Sequence, residues 1–98
     1  MKKLQQNLSN FKRGDFAIVS GKIVLNEIIE NKDFSSFYFE HVEFSNCNLR
    51  DISFNESKSC SLIFRNCQFN SISFAKADLI DIIFQNCQFV NCSFRVSQ

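Results

Sequence analysis

Three cysteines spaced 20 residues apart, Cys47, Cys67 and Cys87, come nearest to chemistry in this 98-residue chain. A column of thiols could ligate a soft metal or close a disulfide. A tetrahedral metal set needs four converging donors, and no histidine or carboxylate is placed in this column. The same position calls for a small apolar group, and a free cysteine is one, so the column reads as packing. Parallel neighbouring side chains argue against a disulfide although the backbone spacing would permit one. His41 is the only histidine, and no sequence partner can be placed beside it. Arg13-Gly14-Asp15 spells an adhesion tripeptide and reads as coincidence. There is no nucleophile motif, glycine-rich phosphate loop or metal-ligand spacing. The chain is therefore expected to be no enzyme, with no catalytic residue, cofactor or metal.

The elements that carry these residues follow from a repeat. Phe44-Ser-Asn-Cys-Asn-Leu-Arg-Asp-Ile-Ser-Phe54 recurs at Phe64–Phe74 and again at Phe84–Phe94. Inside each copy is a period of five. Every fifth residue from Phe34 to Phe94 is Phe or Leu, with Ser59 the one exception. Two residues before each of these lies a smaller, mostly apolar group: Val42, Cys47, Ile52, Ser57, Leu62, Cys67, Ile72, Ala77, Ile82, Cys87 and Cys92. A helix would space its apolar residues by three and four, and a flat strand by two. A chain that turns a corner every five residues fits: each short side points two side chains inward and three outward. Four sides close a square coil of 20 residues, and successive coils stack about 4.8 Å apart.

This pattern resembles the pentapeptide-repeat family, whose consensus is Ala-(Asp/Asn)-Leu-x-x, over roughly residues 32–96. Ala77-Asp78-Leu79-Ile80-Asp81 is the closest match. The resemblance implies an all-β solenoid, a right-handed quadrilateral β-helix. Phe stands where the family has Leu, which makes the core bulkier. Phe37 occupies a normally small position, and Ser57 and Ser59 one coil later are undersized. These departures read as compensating volumes.

The expected organisation is an N-terminal capping helix over 1–14, a degenerate first coil or cap extension over 15–31, and a β-helix of about three coils over 32–98. Leu4, Leu8 and Phe11 form one helical stripe, with Gly14 as its C-terminal cap. Over 15–31 two columns compete for the interior: Val19, Val24 and Ile29 against Ile18, Ile23 and Ile28. The first choice turns Lys22 and Glu27 inward, which argues against a perfect coil. Asn46, Asn66 and Asn86 fall at one corner, where Asn tolerates turn conformations.

The net charge of +1 gives no electrostatic footprint for nucleic acid and no acidic field that would imitate it. The N-terminus lacks an apolar leader stretch, and no run reaches membrane-spanning length. The expected location is cytoplasmic, with reduced cysteines and no membrane partner. Function is expected to lie in binding. Cys60, Ile63, Ile80 and Ile83 point outward in the pentad register and form a candidate face for a protein partner of unknown identity. Phe84, Phe89 and Phe94 end the solenoid with nothing evident to cover them, which makes them a candidate homodimer end. C-terminal dimerisation is also what the resemblance implies. Two further readings are a DNA-mimic protein that acts on DNA gyrase, implied by some family members, and a purely structural solenoid. The chain is shorter and less acidic than those gyrase-binding members.

Overall fold

The computed structural model describes residues 18–95. It is an all-β solenoid of about four turns. The expected capping helix over 1–14 lies outside the described residues. Among the described residues ten strands follow one another: β1 (Ile18–Ser20), β2 (Ile23–Leu25), β3 (Ile28–Asp33), β4 (Tyr38–Ser45), β5 (Asn48–Ser53), β6 (Lys58–Arg65), β7 (Gln68–Ser73), β8 (Asp78–Leu79), β9 (Ile82–Gln85) and β10 (Gln88–Val90). All pairing is parallel. One sheet joins β1 and β2 to β4, β4 to β6, and β6 to β8 and β9. The other runs β3, β5, β7, β10. Every pair has an offset of 20: Phe44 faces Phe64, and Phe64 faces Phe84.

The corners have a single backbone cause. Gly21 and fourteen other residues, one every five positions from Asn26 to Asn91, have φ between 52° and 66°. Most L-residues avoid this left-handed region, and Asn and Asp enter it at least cost. Six of the fourteen are Asn and two are Asp. The Asn46, Asn66 and Asn86 column sits at such corners, with φ of 54°, 53° and 54°. Its backbone amides tie coil to coil: Asn46 N–H donates to Arg65 O at 2.9 Å and Asn66 N–H to Gln85 O at 2.8 Å. At one corner per coil the chain also closes a tight turn. There Phe37, Ser57 and Ala77 donate N–H to Phe34, Phe54 and Phe74 carbonyls at 3.1–3.2 Å.

The interior is built from the pentad register. Phe34, Phe39, Phe44, Phe54, Phe64, Phe69 and Phe74 are fully buried, with Val42, Leu49, Ile52, Leu62 and Ile72 between them. Rings in one column stack face to face. Phe44–Phe64 centroids are 4.9 Å apart, Phe54–Phe74 5.0 Å, Phe69–Phe89 4.8 Å and Phe74–Phe94 5.0 Å, all within 16° of parallel. Neighbouring columns meet edge to face, as Phe64 does with Phe69 at 5.0 Å and 72°. Parallel stacking here is imposed by the coil repeat, and the edge contacts suit the ring quadrupoles.

The structure decides the register before Lys32. Val19, Val24 and Ile29 are buried, while Ile18, Ile23 and Ile28 point outward. Residues 18–33 thus form a coil in full register with the next, and the solenoid gains a turn over the count from Phe34 alone. The inward charges are accommodated: Lys22 is exposed, Lys32 half-buried opposite Ile52, and Glu27 buried. Phe37 is buried against Phe34 and Phe39 at 5.5 and 6.1 Å, and Ser57 and Ser59 are buried one coil on.

Candidate functional site

Outward apolar side chains concentrate at one corner. β6 carries Cys60 and Ile63 on either side of Ser61, whose φ is 62°. One coil later Ile80 and Ile83 flank Asp81, whose φ is 57°. The four residues therefore straddle a corner shared by two sides. Ile63 faces Ile83 in register. Ile80 and Ile83 are 59% and 52% exposed, while Cys60 and Ile63 are half-buried. The Ser59 hydroxyl, inside the coil, donates to the Ile80 carbonyl at 3.1 Å and fixes the backbone under that side chain.

The corner is polar on its upper side. Glu40 faces Cys60 and Glu43 faces Ile63 in register. Glu43 lies 3.8 Å from Arg65 and accepts a hydrogen bond from Ser45 at 3.0 Å. Such a half-exposed ion pair contributes at most about 1 kcal/mol. Tyr38 stands beside Cys60 and Glu40. Partial desolvation, then those two neighbours, holds its hydroxyl above the usual range.

The thiol column is geometrically regular. Cys47 donates to the carbonyls of Val24 and Ser45, Cys67 to Phe44 and Arg65, and Cys87 to Phe64 and Gln85, at 3.3–3.5 Å. Equivalent partners mean equivalent rotamers, so the sulfurs repeat at the coil rise of about 4.8 Å. That is more than twice a disulfide bond length. All five cysteines are free. The neighbouring Cys47 thiol, and then burial, push the Cys67 thiol well above its ordinary range. The column also holds a carboxylate that the sequence reading did not place there: Glu27 lies one coil before Cys47, and its carbonyl accepts the Asn48 N–H at 2.9 Å. Donors in a straight row cannot surround one ion. Among the described residues no group of three or more His, Cys, Asp or Glu is placed to hold a metal. His41 occupies an exposed corner with φ of 52°.

Two other apolar surfaces frame the solenoid. At the C-terminal end Phe89 and Phe94 are 39% and 43% exposed, and Phe84 is half-buried. Around the first coil Ile18, Ile23, Leu25 and Ile28 project outward. Sequence reasoning missed this girdle as a surface, because two equally apolar columns competed for the interior and period alone does not rank them.

Fold and corner together define a β-solenoid repeat protein. Residues 4–94 match the family described as the SV2A/B/C luminal domain, and the chain belongs to that family. No curated protein matches the chain. The family so identified is not the pentapeptide-repeat family, and what the resemblance shares with it is the β-solenoid. The expected cytoplasmic location does not stand: the matching family is one of luminal domains, which points away from the cytoplasm. The reducing-compartment argument for the cysteines falls with it, and the sulfur spacing alone now argues against a bridge.

Proposed function

We propose that this chain is a non-catalytic protein-interaction module whose binding surface is the corner formed by Cys60, Ile63, Ile80 and Ile83. The observation that carries this reading is the exposure of Ile80 and Ile83 side by side on a rigid corner. Leaving such groups in water forgoes burial worth about 1.5–3 kcal/mol per side chain. The backbone beneath them is held by a parallel ladder, so a partner would meet a preformed surface and lose little to ordering. The partner this fits is a protein with an apolar patch, rimmed by basic groups that could answer Glu40 and Glu43. By family, the module is proposed to work in a luminal compartment. The five-residue register further supports kinship with pentapeptide-repeat proteins at the level of sequence pattern.

The test is an Ile80→Lys/Ile83→Lys double variant. Partner capture from a luminal extract should be lost while far-UV circular dichroism and the melting transition stay unchanged. Equal capture by the variant and the native chain would retire the corner and leave a structural solenoid.

A further inference from the structure

One repeated motif lies outside the Ile80/Ile83 corner. Asn46-Cys47-Asn48, Asn66-Cys67-Gln68 and Asn86-Cys87-Gln88 set an outward amide on either side of each inward thiol. Asn48 is half-buried and the other five amides are exposed. Asn48 faces Gln68 and Gln68 faces Gln88 in register, so the pairs repeat along the axis at the coil rise of about 4.8 Å. The backbone requires neither column. Left-handed corners in this chain also accept His41, Ser61, Lys76 and Asp81, so three asparagines running at one corner exceed what the turn demands. Asn48, Gln68 and Gln88 begin β5, β7 and β10, where a β-branched residue would suit the strand better. At the preceding corner the equivalent outward pair changes with every coil, from His41/Glu43 to Ser61/Ile63 to Asp81/Ile83. The backbone amides beside the motif are already engaged: Asn48 N–H donates to Glu27 O at 2.9 Å, Gln68 to Cys47 O at 3.0 Å and Gln88 to Cys67 O at 3.1 Å. Among the described residues a single bond joins the side chains of the set, from Asn48 Nδ2 to Gln68 Oε1 at 3.4 Å. The two flanking arginines are paired, Arg50 with Glu30 at 3.6 Å and Arg65 with Glu43 at 3.8 Å.

We propose that this double row of amides binds a neutral, extended, β-linked oligosaccharide laid along the solenoid axis, one sugar against each coil. The proposal does not rest on the Ile80/Ile83 reading. Each primary amide offers two N–H donors and a carbonyl acceptor, and a sugar hydroxyl both donates and accepts. An acetamido substituent carries the same donor and acceptor as the side chains. Amide and sugar therefore satisfy each other with no charge on either. Three equivalent pairs in a straight row suit a ligand whose own chemistry repeats in a straight row, which a β-linked sugar chain provides. Nucleic acid would need free cations along the row, and both arginines there are held by carboxylates. A protein partner would need an apolar or aromatic anchor at the centre, and the amide pairs supply none. The parallel ladder fixes the backbone under every pair, so little order is lost on binding.

The experiment is a titration of the isotope-labelled 98-residue chain with a β-linked N-acetylglucosamine hexasaccharide, followed by NMR through the side-chain amide signals. The signals of Asn46, Asn66, Gln68, Asn86 and Gln88 should shift and saturate, while that of Asn55 stays in place. The disaccharide of the same sugar spans fewer coils and should bind at least roughly tenfold more weakly. Gln68→Ala/Gln88→Ala should weaken the hexasaccharide by at least roughly tenfold with native circular dichroism, since it removes two hydrogen-bonding amides and leaves the corners untouched. Should that variant unfold, the pattern of shifts on the native chain decides. The Ile80→Lys/Ile83→Lys variant should bind the hexasaccharide as the native chain does. Absence of saturable shifts at millimolar sugar overturns the proposal. Equal affinity for the disaccharide overturns the three-coil seat, and shifts centred on Ile80 and Ile83 would move the site to the other corner and overturn the assignment.

Discussion

The residue at each corner bears a specific backbone cost. A left-handed conformation costs an L-residue roughly 1–2 kcal/mol, and glycine adopts it freely. His41, with φ of 52°, and Glu56, with φ of 58°, lack the short side chains that ease this strain in Asn and Asp. His41→Gly should therefore raise the urea midpoint, and Asn66→Val should lower it by the equivalent of about 1–2 kcal/mol. Equal midpoints for Asn66→Val and the native chain would mean that the corner relaxes. Phe37 is a second test at this scale. Its ring sits in a column that continues as Ser57 and Ala77, so the surroundings are already adjusted in volume. Phe37→Ala should cost less than the usual ~3–5 kcal/mol for a buried Phe. A thermal melt showing the full cost would falsify the compensation.

The element is the column. Phe64 is held between Phe44 at 4.9 Å and Phe84 at 5.4 Å, whereas among the described residues Phe94 ends its column, stacked on Phe74 at 5.0 Å. Removing a ring from the middle of a column leaves a cavity closed on both sides, and removing the last ring leaves an opening that water fills. Phe64→Ala should cost ~3–5 kcal/mol in denaturant unfolding, and Phe94→Ala clearly less in the monomer. Similar values for the two would show that the end is as enclosed as the middle. The thiol column makes a separate prediction. Cys47 and Cys67 are buried and each thiol donates to backbone carbonyls, while Cys60, Cys87 and Cys92 are half-exposed. A maleimide should label the latter three at least roughly 100-fold faster, since the former two must wait for the coil to open. Labelling of Cys67 as fast as Cys60 would contradict the packing described.

At the scale of the whole molecule, a solenoid is stabilised by contacts between adjacent coils only. The terminal coils each have one such neighbour, so opening should begin there and reach the middle last. Amide exchange should be slowest in β4–β7 and faster in β8–β10 in a dilute sample. Uniform protection across β4–β10 under those conditions would mean a single cooperative unit. Exposed aliphatic and aromatic residues gather in the first and last coils: the Phe rings at the open end for want of a stacked neighbour, the Ile residues because the register turns them outward. The middle coils bury their faces against both neighbours and present mainly polar groups outward.

The architecture was legible in the sequence because a five-residue period with one large apolar position admits few backbones. The Phe/Leu series fixed the interior, and the Asn46, Asn66 and Asn86 column marked a corner. Outward placement of Ile80 and Ile83 followed from the same count. What the period could not rank was Val19, Val24 and Ile29 against Ile18, Ile23 and Ile28, since both columns are aliphatic and both repeat every five residues. Parallel pairing of β1 and β2 with β4 and of β3 with β5 settled it, because the left-handed residues at Gly21, Asn26 and Asn31 allow only one face of each side to turn inward. Nor could spacing alone show that Cys60/Ile63 and Ile80/Ile83 straddle a corner, or that Glu27 heads the thiol column. Those depend on where the chain bends in three dimensions and on which coil lies above which. Local sequence sets the period of the chain, and only the stacking of coils decides which side chains share a surface.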